Sequence, residues 1–211
     1  MKIDFLKNNF TNFGSTPLYK ARIQKHWHEC EETSPCDVYI TKLDKYDLIA
    51  LKRDEADWED TSYAKSIIEA LDSYTPEEEE LTGTKTAFFA VETPNSYGER
   101  QIRALAMATN TLKDNQVELN WITANNGPNM PYVIKGAGAC LLYAVLKFAK
   151  KCNADSFYVY SNDSALKFYK RYGLNREEAE YNEFTLPKRL LKRKTDLMQK
   201  KYSIEPAGFV G

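Results

Sequence analysis

The sequence predicts an α/β fold with a central, mostly antiparallel sheet flanked by helices. Segments rich in β-branched and aromatic residues alternate with segments of helical periodicity, in the order strand, helices, three strands, helix, strand, helix, strand. A strand-like segment, Val117–Thr123, is followed by a glycine-paired turn and a long apolar helix. At 211 residues, of which 43% are hydrophobic and 28% charged, the chain can bury a sizeable core.

The first 35 residues give few structural signals. Gly14–Pro17 interrupts the chain before a candidate strand at Leu18–Trp27. Glu31–Pro35 is typical of a linker, whereas Val38–Thr41 is rich in the β-branched and aromatic residues that favour a strand. Residues 1–35 could supply an extra strand, a partner-binding arm or a homodimer contact, and the sequence does not choose among these.

The middle of the chain contains helices followed by three strands that turn back on one another. The spacing of apolar residues predicts that Asp44–Tyr74 is mostly helical, and the acidic run Glu77–Glu80 with Gly83 ends this region. The segments that follow are the strand Thr86–Val91, the turn Pro94–Gly98, the strand Gln101–Thr109, the turn Asn110–Asn115 and the strand Val117–Ala124.

The last third of the chain alternates helices and strands. Its predicted segments are the loop Asn125–Pro131, the glycine turn, the helix Ala139–Lys151, the strand Ser156–Tyr160, the helix Asp163–Tyr172, the strand Glu183–Leu186 and a helical tail from Pro187. Gly173 ends the second of these helices, as glycine often does after a helix C-terminus.

The charge is distributed unevenly around a net value of −1. Cys36–Glu99 contains 6 Lys and Arg against 16 Asp and Glu, whereas Lys188–Gly211 contains 7 against 2. This pattern argues against one continuous nucleic-acid face, although the tail alone could touch an anionic partner. No run of residues is apolar enough for a membrane span, and the N-terminus lacks a signal-peptide core. We therefore expect a cytoplasmic protein without a membrane partner.

The glycine turn Lys135–Ala139 has the features of an anion cradle. Glycines let the backbone approach a phosphate closely, and the N-terminus of the following helix offers N–H donors and a partial positive charge. The spacing is neither that of a P-loop nor that of the dinucleotide fingerprint. The turn alone therefore does not identify the ligand that carries the phosphate, and neighbouring motifs are needed to identify it.

A second motif, Asn162–Leu174, indicates which ligand the glycine turn binds. Its sequence NDSALKFYKRYGL resembles the Asn-x-x-Ala-x-x-Phe-Tyr-x-x-x-Gly-Phe signature of the GNAT acetyltransferase superfamily, with Leu174 in place of Phe. The segment Val133–Gly138 resembles the Gln/Arg-x-x-Gly-x-Gly/Ala loop of that superfamily, with Val133 at the first position. By order of elements the resemblance covers Cys36–Leu186. It implies the GNAT acyl-CoA N-acyltransferase fold and acetyl transfer to an amine, of a small molecule or a protein, without a covalent enzyme intermediate.

The resemblance also implies roles for individual residues. Tyr169 matches the general acid that protonates the CoA thiolate, and the alternative is that it only packs its helix on the sheet. Glu118 matches the strand glutamate that serves as general base in some members, and the alternative is a surface glutamate; Glu92 is a second candidate. The expected contacts with acetyl-CoA are made by Ile122, Thr123 and Ala124, by Lys135, Gly136, Ala137, Gly138 and Ala139 in the cradle, and by Asn162.

Two other sets of residues have side chains that could form a functional site. His26, His28, Cys30 and Cys36 could alternate on a strand, but their spacing matches no common zinc motif, so we expect no metal. Trp58, Tyr63 and the acidic residues near the first helices lie where the family builds its acceptor site. They indicate either a solvated acidic face or a site for a cationic amine.

The chain is thus predicted to contain an N-terminal extension (1–35), a GNAT acetyltransferase domain (36–187) and a basic C-terminal tail (188–211). Two alternatives to an enzyme of this kind remain open at the level of sequence. One is a GNAT-fold protein that binds CoA or a partner without catalysis. The other is an acetyltransferase that acts on RNA, or on a partner bound to nucleic acid, through its basic tail; we consider nucleic acid the less favoured partner.

Overall fold

The computed structural model describes residues 15–27, 32–55, 58, 61–94, 100–111, 113–125, 132–176 and 182–208. In chain order these contain β1 (Pro17–Trp27), β2 (Thr33–Leu43), α1 (Leu48–Glu55), α2 (Thr61–Ser73), α3 (Pro76–Thr82), β3 (Thr84–Pro94), β4 (Arg100–Thr111), β5 (Gln116–Ala124), β6 (Tyr132–Lys135), α4 (Ala137–Lys151), β7 (Ser156–Tyr160), α5 (Leu166–Arg171), β8 (Asn175–Arg176), β9 (Glu183–Pro187), α6 (Lys188–Lys201) and β10 (Glu205–Pro206). Short 3₁₀ turns precede α1 and α5. None of the described helices is both long and apolar enough to cross a membrane.

The described strands form one sheet, in the order β10-β1-β2-β3-β4-β5-β7-β9-β8, with β6 also paired to β1. Every pairing is antiparallel except that of β5 with β7. The parallel pair follows from the connection through α4, because adjacent parallel strands need a crossover of helical length. The mostly antiparallel sheet with helices agrees with the predicted fold class.

The sheet separates two hydrophobic cores. The first core lies on the face covered by α4, α5 and α6, and α4 contributes its fully buried residues Leu141, Leu142 and Val145. The second core lies on the opposite face, where α1 and α2 pack on β3 and β4 through residues such as Leu51 and Ile67. Ten of the 15 residues of α4 are buried, and its three lysines lie in its last two turns.

The structure corrects three predicted segments. The acidic run Glu77–Glu80 lies inside α3, where acidic residues near a helix N-terminus interact favourably with the helix dipole. Gly83 ends α3 in the left-handed region (φ 66°), as expected. Thr33–Pro35, predicted as the end of a linker, begins β2, and the turn predicted from Asn110 begins after Thr111.

The strand β6 has no counterpart among the predicted elements. It pairs with β1 through registers from Gln24 with Lys135 to Trp27 with Tyr132. Four residues carry too little alternation to indicate a strand, and the partner lies more than 100 residues earlier in the chain. The predicted turn Pro94–Gly98 and loop Asn125–Pro131 lie mostly outside the described residues.

The sheet and core continue across both predicted domain boundaries. β1 pairs with β2 along most of its length, and the boundary at residue 36 falls within β2. At the other boundary, α6 packs on α4 with Leu191 and Met198 buried in the first core. Residues 17–27 and 188–206 are therefore parts of the same folded unit. Residues 1–14 and 28–31 of the predicted extension (1–35) lie outside the described residues.

Candidate active site

The parallel strands β5 and β7 are paired only at their beginnings. Three register pairs join them, ending at Glu118 with Tyr158. β5 continues to Ala124 and stays paired with β4 on its other edge, with an irregularity opposite Met107 and Ala108. From Leu119 onward, the edge of β5 that faces β7 therefore makes no described ladder contact, and the two strands enclose a cleft.

The cleft, of about 70 Å³, is lined by residues of both strands and of helices from both faces of the sheet. It is lined by Tyr63 of α2, by Leu119, Asn120, Trp121 and Ile122 of β5, by Val159 and Tyr160 of β7, and by Ser161, Asn162, Ala165 and Tyr169. The Oδ1 atom of Asn120 is buried and has no hydrogen-bond partner among the described residues. A ligand in the cleft would thus meet an unsatisfied acceptor and an open strand edge.

Tyr169 lies in this cleft, on the first helical turn of α5. Its side chain is 2% exposed, and its ring packs against Phe168 and Phe184 at centroid distances of 5.1 and 5.6 Å. Burial raises the pKa of the Tyr169 hydroxyl above its ordinary value of 10. The hydroxyl is therefore protonated at neutral pH and can donate a proton to a ligand in the cleft.

Glu118 lies next to the cleft but is not among its lining residues. Its side chain is half-buried, and its Oε2 accepts a 2.9 Å hydrogen bond from the hydroxyl of Tyr158. Burial, followed by this bond to the carboxylate, raises the pKa of Tyr158. The predicted base is thus held by Tyr158 at the last paired position before the strands diverge.

Glu92, the second candidate base, is fully buried on the α1 and α2 side of the sheet and lines no part of the cleft. Its Oε2 accepts hydrogen bonds from Thr41 and Arg100, both 3.0 Å long, and its Oε1 has no described partner. Burial raises the Glu92 pKa to about 7 despite the neighbouring charge of Arg100. The structure therefore separates this carboxyl from the cleft.

The predicted anion cradle forms the beginning of α4. Gly136 is the N-cap residue and has a φ of 113°, a conformation that strongly favours glycine. No side chain caps this end of the helix, so the first-turn N–H groups of Ala137, Gly138 and Ala139 have no side-chain acceptor at the cap. Lys135 is exposed at the end of β6. The Lys135 side chain therefore faces solvent, whereas the donors of the cradle belong to the backbone.

The cradle is joined to the cleft through α5. A Cβ placed on Gly138 would meet the ring of Phe168 at 3.5 Å, and Phe168 neighbours Tyr169. Asn162 also lines the cleft, and its Oδ1 accepts hydrogen bonds from the N–H of Ala165 and the hydroxyl of Ser164. Of the predicted β5 contacts, Ile122 lines the cleft and Thr123 and Ala124 follow it as half-buried residues.

An aromatic wall of three residues was not predicted as a group. Tyr63, Trp121 and Tyr160 line the cleft, and Tyr63 and Tyr160 are 39% and 59% exposed. Tyr63 belongs to the region in which the sequence indicates an acceptor site, but Trp58 from that region is buried in the second core. In the sequence, only the positions of Trp121 and Tyr160 near the ends of β5 and β7 could have indicated this wall. The approach of Tyr63 to these two residues depends on how α2 packs on the sheet.

The described residues contain no group of three or more histidine, cysteine, aspartate or glutamate side chains suited to a metal ion. Cys36 is buried in the first core, whereas His28 and Cys30 lie outside the described ranges. The absence of a metal therefore stays a prediction.

Comparison with known proteins identifies the architecture. No protein-family model and no curated protein sequence matches the chain. A solved structure from Desulfovibrio desulfuricans, assigned to the GNAT family of acetyltransferases, superposes with a TM-score of 0.50 at 15% identity, covering 72% of this chain and 99% of that one. The chain has the GNAT fold.

Two further GNAT-family acetyltransferases are similar in structure. The protein from Staphylococcus aureus Mu50 is 16% identical, covering 71% of this chain and 98% of its own at a TM-score of 0.47. The protein from Brucella melitensis, solved in complex with acetyl-CoA, is 14% identical, covering 71% and 87% at a TM-score of 0.47. The similarity to the Desulfovibrio desulfuricans structure confirms the GNAT fold predicted from the two motifs.

Proposed function

We propose that this protein is an acetyl-CoA-dependent N-acetyltransferase that acts on a primary amine. The observation that carries the proposal is the cleft between β5 and β7, which has a buried tyrosine hydroxyl at its wall and an uncapped helix N-terminus beside it. Such a helix end suits the pyrophosphate of CoA. The open edge of β5 suits the amide groups of an extended pantetheine chain, because an unpaired strand edge offers backbone donors and acceptors.

In the proposed reaction, the amine nitrogen attacks the thioester carbonyl carbon directly. As the carbon–sulfur bond breaks, Tyr169 gives its proton to the departing sulfur. An ammonium acceptor loses two protons. The first leaves before attack, and the second leaves the nitrogen after attack and returns to Tyr169 through solvent, which balances the transfer to sulfur. Burial keeps the Tyr169 hydroxyl neutral but also makes it a weaker acid, so the support for this role is the place of Tyr169 in the wall of the cleft.

Glu118 is proposed as the base that receives the amine proton through a water molecule. Tyr158 occupies Oε2 and holds the carboxylate beside the cleft, which leaves Oε1 for a water. A Glu118→Gln variant should lower kcat by about 10²- to 10⁴-fold, because the amide cannot take up a proton. An unchanged kcat would show that another group, or solvent alone, acts as base.

The acceptor is proposed to enter from the side of Tyr63, Trp121 and Tyr160. Aromatic faces attract cations, so this wall supports an acceptor that arrives as an ammonium group. Residues 36–99 contain 6 basic and 16 acidic residues, and the resulting negative potential also attracts a cationic acceptor. Together they support an amine acceptor over a neutral or anionic one.

The test is thiol release from acetyl-CoA with a panel of primary amines, combined with isothermal titration of CoA. Tyr169→Phe should lower kcat by about 10²- to 10⁴-fold while CoA affinity is retained. Tyr46→Phe is the control, because Tyr46 is 82% exposed. Full turnover in Tyr169→Phe would refute the acid role. CoA binding without thiol release from any amine would favour the non-catalytic alternative.

A further inference from the structure

A second cleft, larger than the proposed active site, opens at the other end of α4. It has a volume of about 750 Å³, within the range of small-molecule binding sites. Its α4 residues extend from Ala144 to Lys151, whereas the cradle precedes Cys140. At 1.5 Å per residue, Gly138 and Ala144 are about 9 Å apart along the helix, and the two clefts share no lining residue. The two clefts are therefore separate sites.

The floor of this second cleft is apolar and partly aromatic. Phe89 of β3 is buried at 3% exposure and contacts Phe148 of α4 with ring centroids 6.3 Å apart. Tyr19 of β1 is half-buried at one side and packs edge-on against Tyr143 at 5.3 Å. Tyr19 and Phe148 thus present partly accessible ring surface inside the cleft, which could contact a planar ligand.

The walls carry an excess of positive charge. Five lysines line the cleft, namely Lys42, Lys85, Lys147, Lys150 and Lys151. None of them forms an ion pair with another residue in the described part of the chain. Glu79 also lines the cleft, but its Oε1 already accepts a 2.8 Å hydrogen bond from the N–H of Thr86.

These lysines converge from three elements. Burial and, to a smaller extent, the charge of Glu79 raise the pKa of the Cys152 thiol, which lies in the same cleft, whereas the charges of Lys85, Lys151 and Lys42 lower it. Side chains of β2, β3 and α4 are therefore close enough to act on one sulfur atom. Like charges on the wall of one cleft repel each other, so a bound polyanion would relieve this repulsion.

The position of α4 explains only part of this charge. Lys150 and Lys151 belong to the last turn of α4, where cations interact favourably with the helix dipole. Lys42 and Lys85 lie on strands, where no such effect operates, and Lys147 lies a turn before the helix end. A ligand with several negative charges accounts for all five.

We propose that this cleft binds a nucleotide carrying several phosphates, with the phosphates among the lysines and the base against Tyr19 and Phe148. One carboxylate, as in a fatty acid, would leave most of the lysines without a partner. An inorganic polyphosphate would leave the aromatic floor uncovered. The nucleotide class satisfies both walls and floor, and its binding is independent of acetyl transfer.

The experiment is isothermal titration of the full chain with ATP as probe, in parallel with tripolyphosphate and adenosine. Lys85→Ala/Lys150→Ala should weaken ATP binding by at least about tenfold, because each removes a charged contact to phosphate. Lys65→Ala/Lys113→Ala removes two described lysines outside the cleft and should leave the affinity unchanged. Thermal unfolding of both double variants checks that the fold is retained.

Since CoA itself contains a phosphorylated adenosine, competition must separate the two sites. Saturating CoA should leave ATP binding in the lysine-lined cleft intact. Displacement of ATP by CoA, equal loss of affinity in both double variants, or no ATP binding at millimolar concentration would each overturn the proposal. Equal affinities for tripolyphosphate and ATP would contradict the role assigned to Tyr19 and Phe148.

Discussion

The buried carboxyl of Glu92 predicts an unusual dependence of stability on pH. Its pKa is raised from 4.5 to about 7, first by burial and further by the charge of Asp47, against the opposing effects of Arg100 and Thr41. At pH 5 the folded protein therefore holds a proton that the unfolded chain has mostly lost. A Glu92→Gln substitution removes this proton uptake while keeping the size of the side chain.

The sign and size of the effect follow from this difference. A carboxyl with a raised folded-state pKa stabilises the fold at low pH, and that contribution is lost as the pH rises from about 4.5 through about 7. The full shift corresponds to about 3 kcal/mol. The free energy of unfolding of the natural protein, relative to Glu92→Gln, should therefore fall by about 3 kcal/mol across this window.

Urea unfolding at several pH values between 4.5 and 7.5, followed by tryptophan fluorescence, measures this difference. Glu69→Gln is the control, since the Glu69 side chain is 67% exposed on α2. A constant difference between the natural protein and Glu92→Gln would refute the reasoning. A difference that grows with pH would show that Glu92 is ionised in the folded state, with Arg100 as the dominant influence.

Three further predictions concern the cradle, α6 and the cysteines. Gly136→Ala should lower the free energy of unfolding by about 1–3 kcal/mol, because φ is 113° and the new Cβ would lie 3.2 Å from Ile23. Gly138→Ala is the control and should leave the free energy of unfolding unchanged. Equal losses in thermal unfolding would contradict this reasoning. Leu191→Ala should lower the free energy of unfolding in urea by about 2–5 kcal/mol, because Leu191 is buried. Leu197 is 54% exposed, so Leu197→Ala should change it by no more than about 0.5 kcal/mol. An unchanged stability in Leu191→Ala would mean that α6 does not contribute to the core. Burial raises the pKa of the Cys140 thiol to about 12, so peptide mapping should find Cys140 alkylated only after unfolding, and rapid labelling of the native protein would contradict that.

The elements that the sequence predicted well are those with local signals. The glycine turn and the apolar run after it indicated α4, and Gly136 indeed adopts the positive φ that such a turn requires. Alternation and β-branched residues were enough for β3, β5 and β7 because each of these strands carries its own pattern. The position of Tyr169 on α5 could be predicted in the same way, since a contiguous motif fixes it relative to the preceding strand, whereas its role as an acid stays a prediction.

The features that the sequence did not predict depend on distant partners. α6 reads as a basic tail because charged residues dominate it, although Leu191, Thr195 and Met198 form a narrow buried stripe against α4. The aromatic wall requires Tyr63 of α2 to meet residues of β5 and β7, which no local pattern encodes. Because Leu191 and Met198 of α6 are buried in the first core, a truncation at Pro187 would also remove part of that core. Such a truncation could therefore not test by itself whether the basic tail contacts RNA.

The edge of β1 has a consequence for how the chain folds. β1 is hydrogen-bonded along one edge by β6 and β10, and the carbonyl of Tyr202 also accepts a bond from the N–H of Arg22. These partners follow β1 by more than 100 and more than 180 residues, separations that slow folding. During synthesis from the N-terminus, this edge of β1 stays unpaired until β6 and β10 have been made. An unpaired strand edge can pair with other chains. Protection of the earliest described strand against aggregation thus depends on some of the last described residues to be made.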